Sequence, residues 1–399
     1  MDHASGQKEE ICDEAIAALR LLMVDGIGHA RLRAIRAAFS SACAALDADD
    51  TALAEAIGIT RELAARIRAA ARAADLGPAL AAMRAAKIRT VLEDSPEYPQ
   101  LLLASHDPPA LLLVSGTLNP EPEPAVAIVG SRRATAYGRV HAGALAVALA
   151  ERGVTVVSGG ARGIDAEAHR GALRAGGRTI AVLATGCAHP YPAEHADLFA
   201  TISVTGGCTI TEQPPFVEAR PDLFPRRNRI IAALSLVTVV VEAATRSGAL
   251  LTARIAVDDL GREAGCVPGP IDSVTSAGCH RAIREGWAQL VTDADDVCEL
   301  LQSARTVAAG AREIAQRPPR REEPSRKPPC PSAPALSADA TAVQSAIRAE
   351  RRAGRAAGFD ELELLLGWPV PRIARATLEL EVAGAIARDA EGAFVLRRL

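Results

Sequence analysis

Aromatic side chains are scarce: two Trp, three Tyr and six Phe, 3% of 399 residues. A binding surface built from many stacked rings is therefore disfavoured. No Cys-x-x-Cys pair occurs, and the eight cysteines (12, 43, 187, 208, 266, 279, 298, 330) are scattered. That fits neither a zinc site nor a disulfide framework and suits a reducing cytoplasm. Charge of one sign is not in excess either: 45 Lys+Arg stand against 48 Asp+Glu, net −3. A whole-molecule basic field is excluded, so a polyanion site has to be a local cluster. The longest apolar stretch, Ile230 to Val241, is broken by Ser235 and Thr238 and falls short of the roughly 20 residues that span a bilayer. The start, 1-MDHASGQKEE-10, lacks a signal-peptide core. No membrane insertion is expected. Core material is ample, with 49% hydrophobic and 23% charged residues, a globular profile long enough for roughly two to four domains.

Residues 1–78 read as a helical domain, with apolar residues at helical spacing in Ile16, Leu19, Leu22 and again in Leu63, Ile67. In 20-RLLMVDGIGHARLRAIRAAF-39 two helices flank Gly26-Ile27-Gly28, a helix-hairpin-helix pattern with a weaker copy at 53-LAEAIGITRELAARI-67. Such glycines serve either a plain helix–helix turn or a turn whose N–H groups meet a phosphate. Residues 88–124 read as extended and Pro-rich. From 125 to about 300, strands alternate with helices: 125-AVAIV-129, 154-VTVVS-158, 179-TIAVLA-184, 208-CTIT-211, 236-LVTVVVE-242 and 264-AGCVPG-269. The pattern predicts an open, doubly wound α/β sheet over 79–302. Residues 303–337, with seven prolines between Pro318 and Pro334, read as a linker. Residues 338–399 predict helices near 340–352, 359–366 and 370–384, then strands 385–388 and 393–397 about a turn at Glu391-Gly392. Three helices and a β-ribbon make a winged-helix pattern. Its nine basic and nine acidic residues cancel, leaving duplex DNA and a protein partner equally open.

The chemistry concentrates at the carboxyl ends of the predicted strands, where open α/β sheets bind ligands. The turn 130-GSRRATAYG-138 offers Gly130 for close approach, hydroxyls at Ser131 and Thr135, and the Arg132 guanidinium for phosphate. It is not G-x-G-x-x-G, and no acid follows the second strand to hold a ribose, which disfavours NAD. In 158-SGGARGIDAEAH-169, Ser158, Gly159 and Gly163 form a turn at a helix start, Arg162 adds charge, and Asp165 is placed to cap or orient a neighbour. Asp165 and His169 lack a third ligand for a metal; packing or hydrogen bonding explains them. In 224-FPRRNRIIAALS-235, Arg227, Asn228 and Arg229 precede an apolar run, and in 246-RSGALLTA-253, Ser247 and Gly248 open a helix with Thr252 turned back. Each glycine turn alone is a weak signal. Four of them on one sheet edge with at least five arginines suit a chain of phosphates better than one nucleotide.

The set 126-VAIVGSRRATAYG-138, 157-VSGGARGIDAEAH-169, 180-IAVLATGCAHPYP-192, 224-FPRRNRII-231 and 247-SGALLTA-253, in this order, resembles the DprA (Smf) family of DNA-processing proteins. The likeness covers nearly all of 98–290. It departs at 211-TEQP-214, where the family has Ser-Glu-x-Pro, and at 279-CHRAIREGW-287. The resemblance implies an extended Rossmann-like parallel sheet core, an N-terminal helix-hairpin-helix (SAM-like) domain and a C-terminal winged helix. It further implies a homodimer that binds single-stranded DNA, protects it during transformation and loads the RecA recombinase, with no cofactor. Carried over by motif, the phosphate contacts fall on Gly130, Ser131, Arg132, Ser158, Gly159, Arg162, Gly163, Asp165, Arg227, Asn228, Arg229, Ser247, Gly248 and Thr252. The competing reading is a nucleoside-monophosphate phosphoribohydrolase on a similar scaffold. Those enzymes use P-G-G-x-G-T-x-x-E with a catalytic Glu; here the turn is S-G-A-L-L-T and 253-ARIAV-257 has no carboxylate.

Overall fold

The protein is described by a computed structural model covering residues 12–119, 124–316, 336–352, 357–388 and 394–396. It divides into two compact units, Met1–Gln316 and Arg317–Leu399. The first is built on a nine-stranded sheet: β1 (Ile88–Leu92), β2 (Leu111–Gly116), β3 (Ala125–Val129), β4 (Thr155–Ser158), β5 (Thr179–Leu183), β6 (Cys208–Thr211), β7 (Val237–Val240), β8 (Glu263–Cys266) and β9 (Gln289–Leu290). Their order is β1-β2-β6-β5-β4-β3-β7-β8-β9. All neighbours from β6 to β9 pair in parallel, while β1–β2 and β2–β6 are antiparallel.

The sequence of β3 explains its central place. Every residue of Ala125–Val129 is buried, as a strand covered on both faces requires. The pleat sends Val126 and Ile128 to one core, beneath helices Ala136–Glu151 and Ile164–Arg174. Ala125, Ala127 and Val129 face the other core, beneath helices Leu223–Leu234, Gly248–Arg254 and Ala277–Arg284. The parallel α/β core thus follows the expectation.

Two features differ from the sequence reading. The segment read as extended and Pro-rich contains β1 and β2; the prolines lie between the strands, in 96-PEYP-99 and at Pro108 and Pro109, and leave both ladders intact. Helix Ala294–Gln316 runs well past 303, where a linker was expected. The stretch 303-SARTVAAGAREIAQ-316 holds no proline and six alanines or glycines; Pro318 is the first helix breaker. Residues 317–335 lie outside the described residues.

The N-terminal helices form two hairpins: Asp13–Leu22 with His29–Phe39, and Asp50–Ile57 with Arg61–Ala73. Gly26 (φ 90°) and Gly58 (φ 65°) take the left-handed turns. Leu19, Leu32, Ile35, Leu53 and Ile67 share a core with Leu111 and Leu113 of β2, so the hairpins cover the sheet edge. The second unit has helices Ala338–Arg352, Phe359–Leu366 and Val370–Val382 around Val343, Ile347, Leu362 and Leu380, with an antiparallel ribbon Ile386–Arg388 and Phe394–Leu396. The turn expected at Glu391-Gly392 lies outside the described residues.

Candidate nucleic-acid interface

β3 is the strand where the winding reverses, with β4 on one side and β7 on the other. Loops leaving the carboxyl ends there diverge and open a crevice. A cleft of about 940 Å3 occupies it. One wall is the turn after β3, from Gly130 to Arg133. The opposite wall is one face of helix Leu223–Leu234, with Phe224, Arg227 and Asn228. Asp165 and Tyr191 also line the cleft, as do Arg246, Ser247, Gly248 and Thr252, after β7.

Buried polar groups beneath the cleft tie these turns together. Glu242, 1% exposed, accepts the backbone N–H of Thr135 at 2.9 Å and its hydroxyl, and the Glu242 carbonyl accepts Ser131 N–H at 2.7 Å. Thr135 is thereby fixed as the N-cap of helix Ala136–Glu151. Ser158 is fully buried and donates to the Ile128 carbonyl at 2.6 Å. The Asp165 carboxylate accepts the N–H groups of Gly159 (3.1 Å) and Ala161 (3.3 Å). Burial pushes its pKa up, opposed by the Arg227 charge and by those N–H donors. Arg227, 4% exposed, donates to the carbonyls of Gly159 (2.6 Å) and Val182. Burial lowers its pKa to about 10, which leaves it charged at neutral pH. Asn228 donates to the Gly248 carbonyl at 3.2 Å, and Thr252 to the same oxygen at 3.1 Å. At Gly163 (φ 77°) a Cβ would sit 2.2 Å from the Ser131 carbonyl oxygen; only glycine lets the two turns close on each other.

Exposed above this scaffold are the groups free to meet a ligand. Arg132 lies over the Phe224 ring, its Cζ 4.4 Å from the centroid. Phe224 packs edge-on against Tyr191 at 5.6 Å. Arg133 and Arg246 are exposed, and among the described residues no carboxylate lies within 4 Å of Arg132, Arg133 or Arg246. Arg220 is 3.5 Å from Asp222, both half-exposed or more, a pairing that costs little to break. The cleft is therefore a local basic surface on a chain of net charge −3, with an aromatic step inside it.

The sequence-predicted residues accordingly separate. Gly130, Ser131, Arg132, Asp165, Arg227, Asn228, Ser247, Gly248 and Thr252 line the cleft. Thr135, Ser158, Gly159 and Gly163 support it from below. Arg162 is exposed but engaged with Glu194 and, at 3.4 Å, the Tyr191 hydroxyl. Arg229 points elsewhere: it pairs with Glu212 and lies 3.4 Å from Asp107. Glu212 also accepts His29 Nε2–H on its carbonyl at 2.8 Å, and Arg33 pairs with Asp107 at 2.8 Å. Arg229 thus joins the first hairpin to the core. The hairpin glycines Gly26 and Gly28 stay exposed, but Arg31 folds back onto the Gly26 carbonyl. Sequence reasoning missed Arg133, Tyr191, Arg220, Phe224 and Arg246 as cleft residues. For Phe224 a signal existed: positions 224, 227, 228 and 231 share one helical face, while 226 and 229 fall off it.

Residues 89–302 match the family described as DNA recombination-mediator protein A, and residues 18–73 match the SAM-like helix-hairpin-helix tandem. The chain is 40% identical over 305 residues to Protein Smf of Escherichia coli, 76% of each chain. It is 37% identical over 223 residues to DNA processing protein DprA of Bacillus subtilis, covering 56% of this chain and 74% of that one. The X-ray structure of DNA processing protein A from Streptococcus pneumoniae matches with a TM-score of 0.60 at 30% identity, covering 73% of this chain and 98% of that one. With its parallel core, its hairpin domain and these likenesses, the chain belongs to the DNA recombination-mediator protein A family of DprA/Smf DNA-processing proteins.

Proposed function

We propose that the chain acts in DNA processing during transformation by binding single-stranded DNA in the cleft, protecting it and passing it to the RecA recombinase. In this reading it works in the cytoplasm as a homodimer and performs no catalysis. The observation that carries the reading is the set of exposed, carboxylate-free arginines Arg132, Arg133 and Arg246 around the Phe224–Tyr191 step. Guanidinium groups pair phosphate oxygens, and Phe224 and Tyr191, both half-buried, keep ring surface on which any base can stack. A duplex keeps its base faces inside the stack and offers Phe224 nothing. The polar groups that would read base edges, Asp165, Asn228 and Thr252, are already engaged with backbone partners, which argues for binding without sequence preference.

The phosphoribohydrolase reading has less support. Beyond the missing Glu, Asp165, which lines the cleft, and Glu242 beneath it are committed to N–H groups of the turns. Residues 338–399, read as a winged helix behind a linker, are proposed as an accessory module. Its Arg372 is held by Asp339 at 2.9 and 2.6 Å and stacked on Trp368 at 3.9 Å.

The test is fluorescence anisotropy with oligo(dT) and with a duplex of equal length across a salt series. With the weakly held Arg220 as a fourth arginine–phosphate contact, the slope of log affinity against log salt is about −3 on single strands. Preference for the duplex, or a salt-independent affinity, sinks the reading.

A further inference from the structure

Outside the cleft, the loops after β5 and β6 clasp each other. Gly186 N–H donates to the Val217 carbonyl at 2.8 Å, Ala188 N–H to Pro215 at 2.9 Å, and Val217 N–H to Pro214 at 3.1 Å. Gly186 permits the approach: a Cβ there would lie 2.1 Å from the Pro214 carbonyl oxygen. The clasp holds two rings on its outer side, His189 and Phe216, with centroids 6.3 Å apart and planes tilted by 58°. Phe216 is 44% exposed and belongs to none of the hydrophobic clusters.

An isolated exposed apolar side chain needs no explanation. This one differs in three respects. It is locked on a hydrogen-bonded clasp rather than a free loop tip, and it is paired with a second ring. It also adjoins the cleft: His189 is two residues from Tyr191, so their Cα atoms lie within about 7 Å, and Arg220, four residues after Phe216, lines the cleft. We propose that His189 and Phe216 form a second stacking platform, which takes a nucleobase of the same strand as it leaves the cleft past Tyr191. The platform rests on the single-strand reading and lengthens the site towards β6. Arg220, weakly held by Asp222, is placed for the phosphate between the two steps.

Stacking needs a base, whereas arginine contacts need only phosphate, and the test separates them. Wild type, Phe216→Ala and Phe216→Tyr are titrated with oligo(dT) of 20 nucleotides and with an abasic deoxyribose-phosphate 20-mer. Phe216→Ala should bind oligo(dT) about fivefold more weakly, about 1 kcal/mol, the low end for one stacked base because the ring is half-covered. It should bind the abasic polymer like wild type, and Phe216→Tyr should behave like wild type on both. Unchanged oligo(dT) affinity in Phe216→Ala, or an equal loss on both polymers, overturns the platform. Wild type that binds neither polymer overturns the single-strand reading on which the platform rests.

Discussion

Arg132 and Arg227 both line the cleft, yet the structure assigns them opposite consequences. Arg132 is exposed, has no carboxylate within 4 Å among the described residues, and touches the protein mainly through the Phe224 face. Its removal deletes a charge-assisted phosphate contact of roughly 1.5–3 kcal/mol, so Arg132→Ala should weaken oligo(dT) binding about ten- to a hundredfold. Arg132→Lys should recover part of this, because an ammonium cannot present two in-plane donors to one phosphate. The melting temperature should barely move, as for other surface changes of about 0.5 kcal/mol. Arg227 is 4% exposed, faces the buried Asp165, and donates to two carbonyls. Arg227→Ala leaves that carboxylate without its countercharge and should cost about 3–5 kcal/mol, roughly 10 °C in melting temperature at about 2–4 °C per kcal/mol. Thermal melts and anisotropy on the same preparations check both. Normal binding by Arg132→Ala, a binding loss that tracks a lowered melt, or an unshifted melt in Arg227→Ala would refute the division into ligand-facing and supporting arginines.

Two further outcomes follow from buried groups away from the cleft. His169 is fully buried; Thr179 donates to the Val156 carbonyl at 2.7 Å, so the imidazole N–H at Nδ1 donates to Thr179 Oγ1 at 2.7 Å. Burial lowers its pKa from 6.5 to about 3, so the unfolded chain binds the extra proton first. Stability is complete above pH 6.5 and drains as pH falls towards 3, by about 2 kcal/mol at pH 5; His169→Gln should flatten that part of the melting-temperature profile, and an unchanged profile refutes the assignment. Glu212, 5% exposed, holds Arg229 and lies 3.7 Å from His29 Nε2. Glu212→Ala should cost about 2 kcal/mol and speed amide exchange in helix His29–Phe39 while leaving oligo(dT) affinity intact, and slowed or unchanged exchange there would count against this docking role.

How far the site was legible can be judged on 224-FPRRNR-229. The motif and its position at the ligand edge are readable in the chain, because apolar runs such as 125-AVAIV-129 announce buried parallel strands and the turns follow them. What a linear reading cannot see is direction. At 100° per residue, Arg227 leaves the helix on the cleft side, while Arg226 and Arg229, three apart, leave it on the other: Arg227 is buried beneath the cleft, Arg226 is exposed, and Arg229 pairs with Glu212. Arginines within four positions therefore serve different ends, although composition treats them as one cluster. Antiparallel β1 and β2 were hidden for a related reason, since the prolines between them masked short strands that only their pairing partners identify. Arg246 stands directly before the motif 247-SGALLTA-253 and is no part of it; the pairing of β7 with β3 brings its turn to the same cleft as Arg132. Motif residues such as Ser158, Asp165 and Arg227 hold the turns in register, so their substitution should show first as instability. Affinity should instead respond to exposed side chains, whether inside a motif, as Arg132 is, or beside one, as Arg246 is, because the ligand meets only what the scaffold leaves exposed.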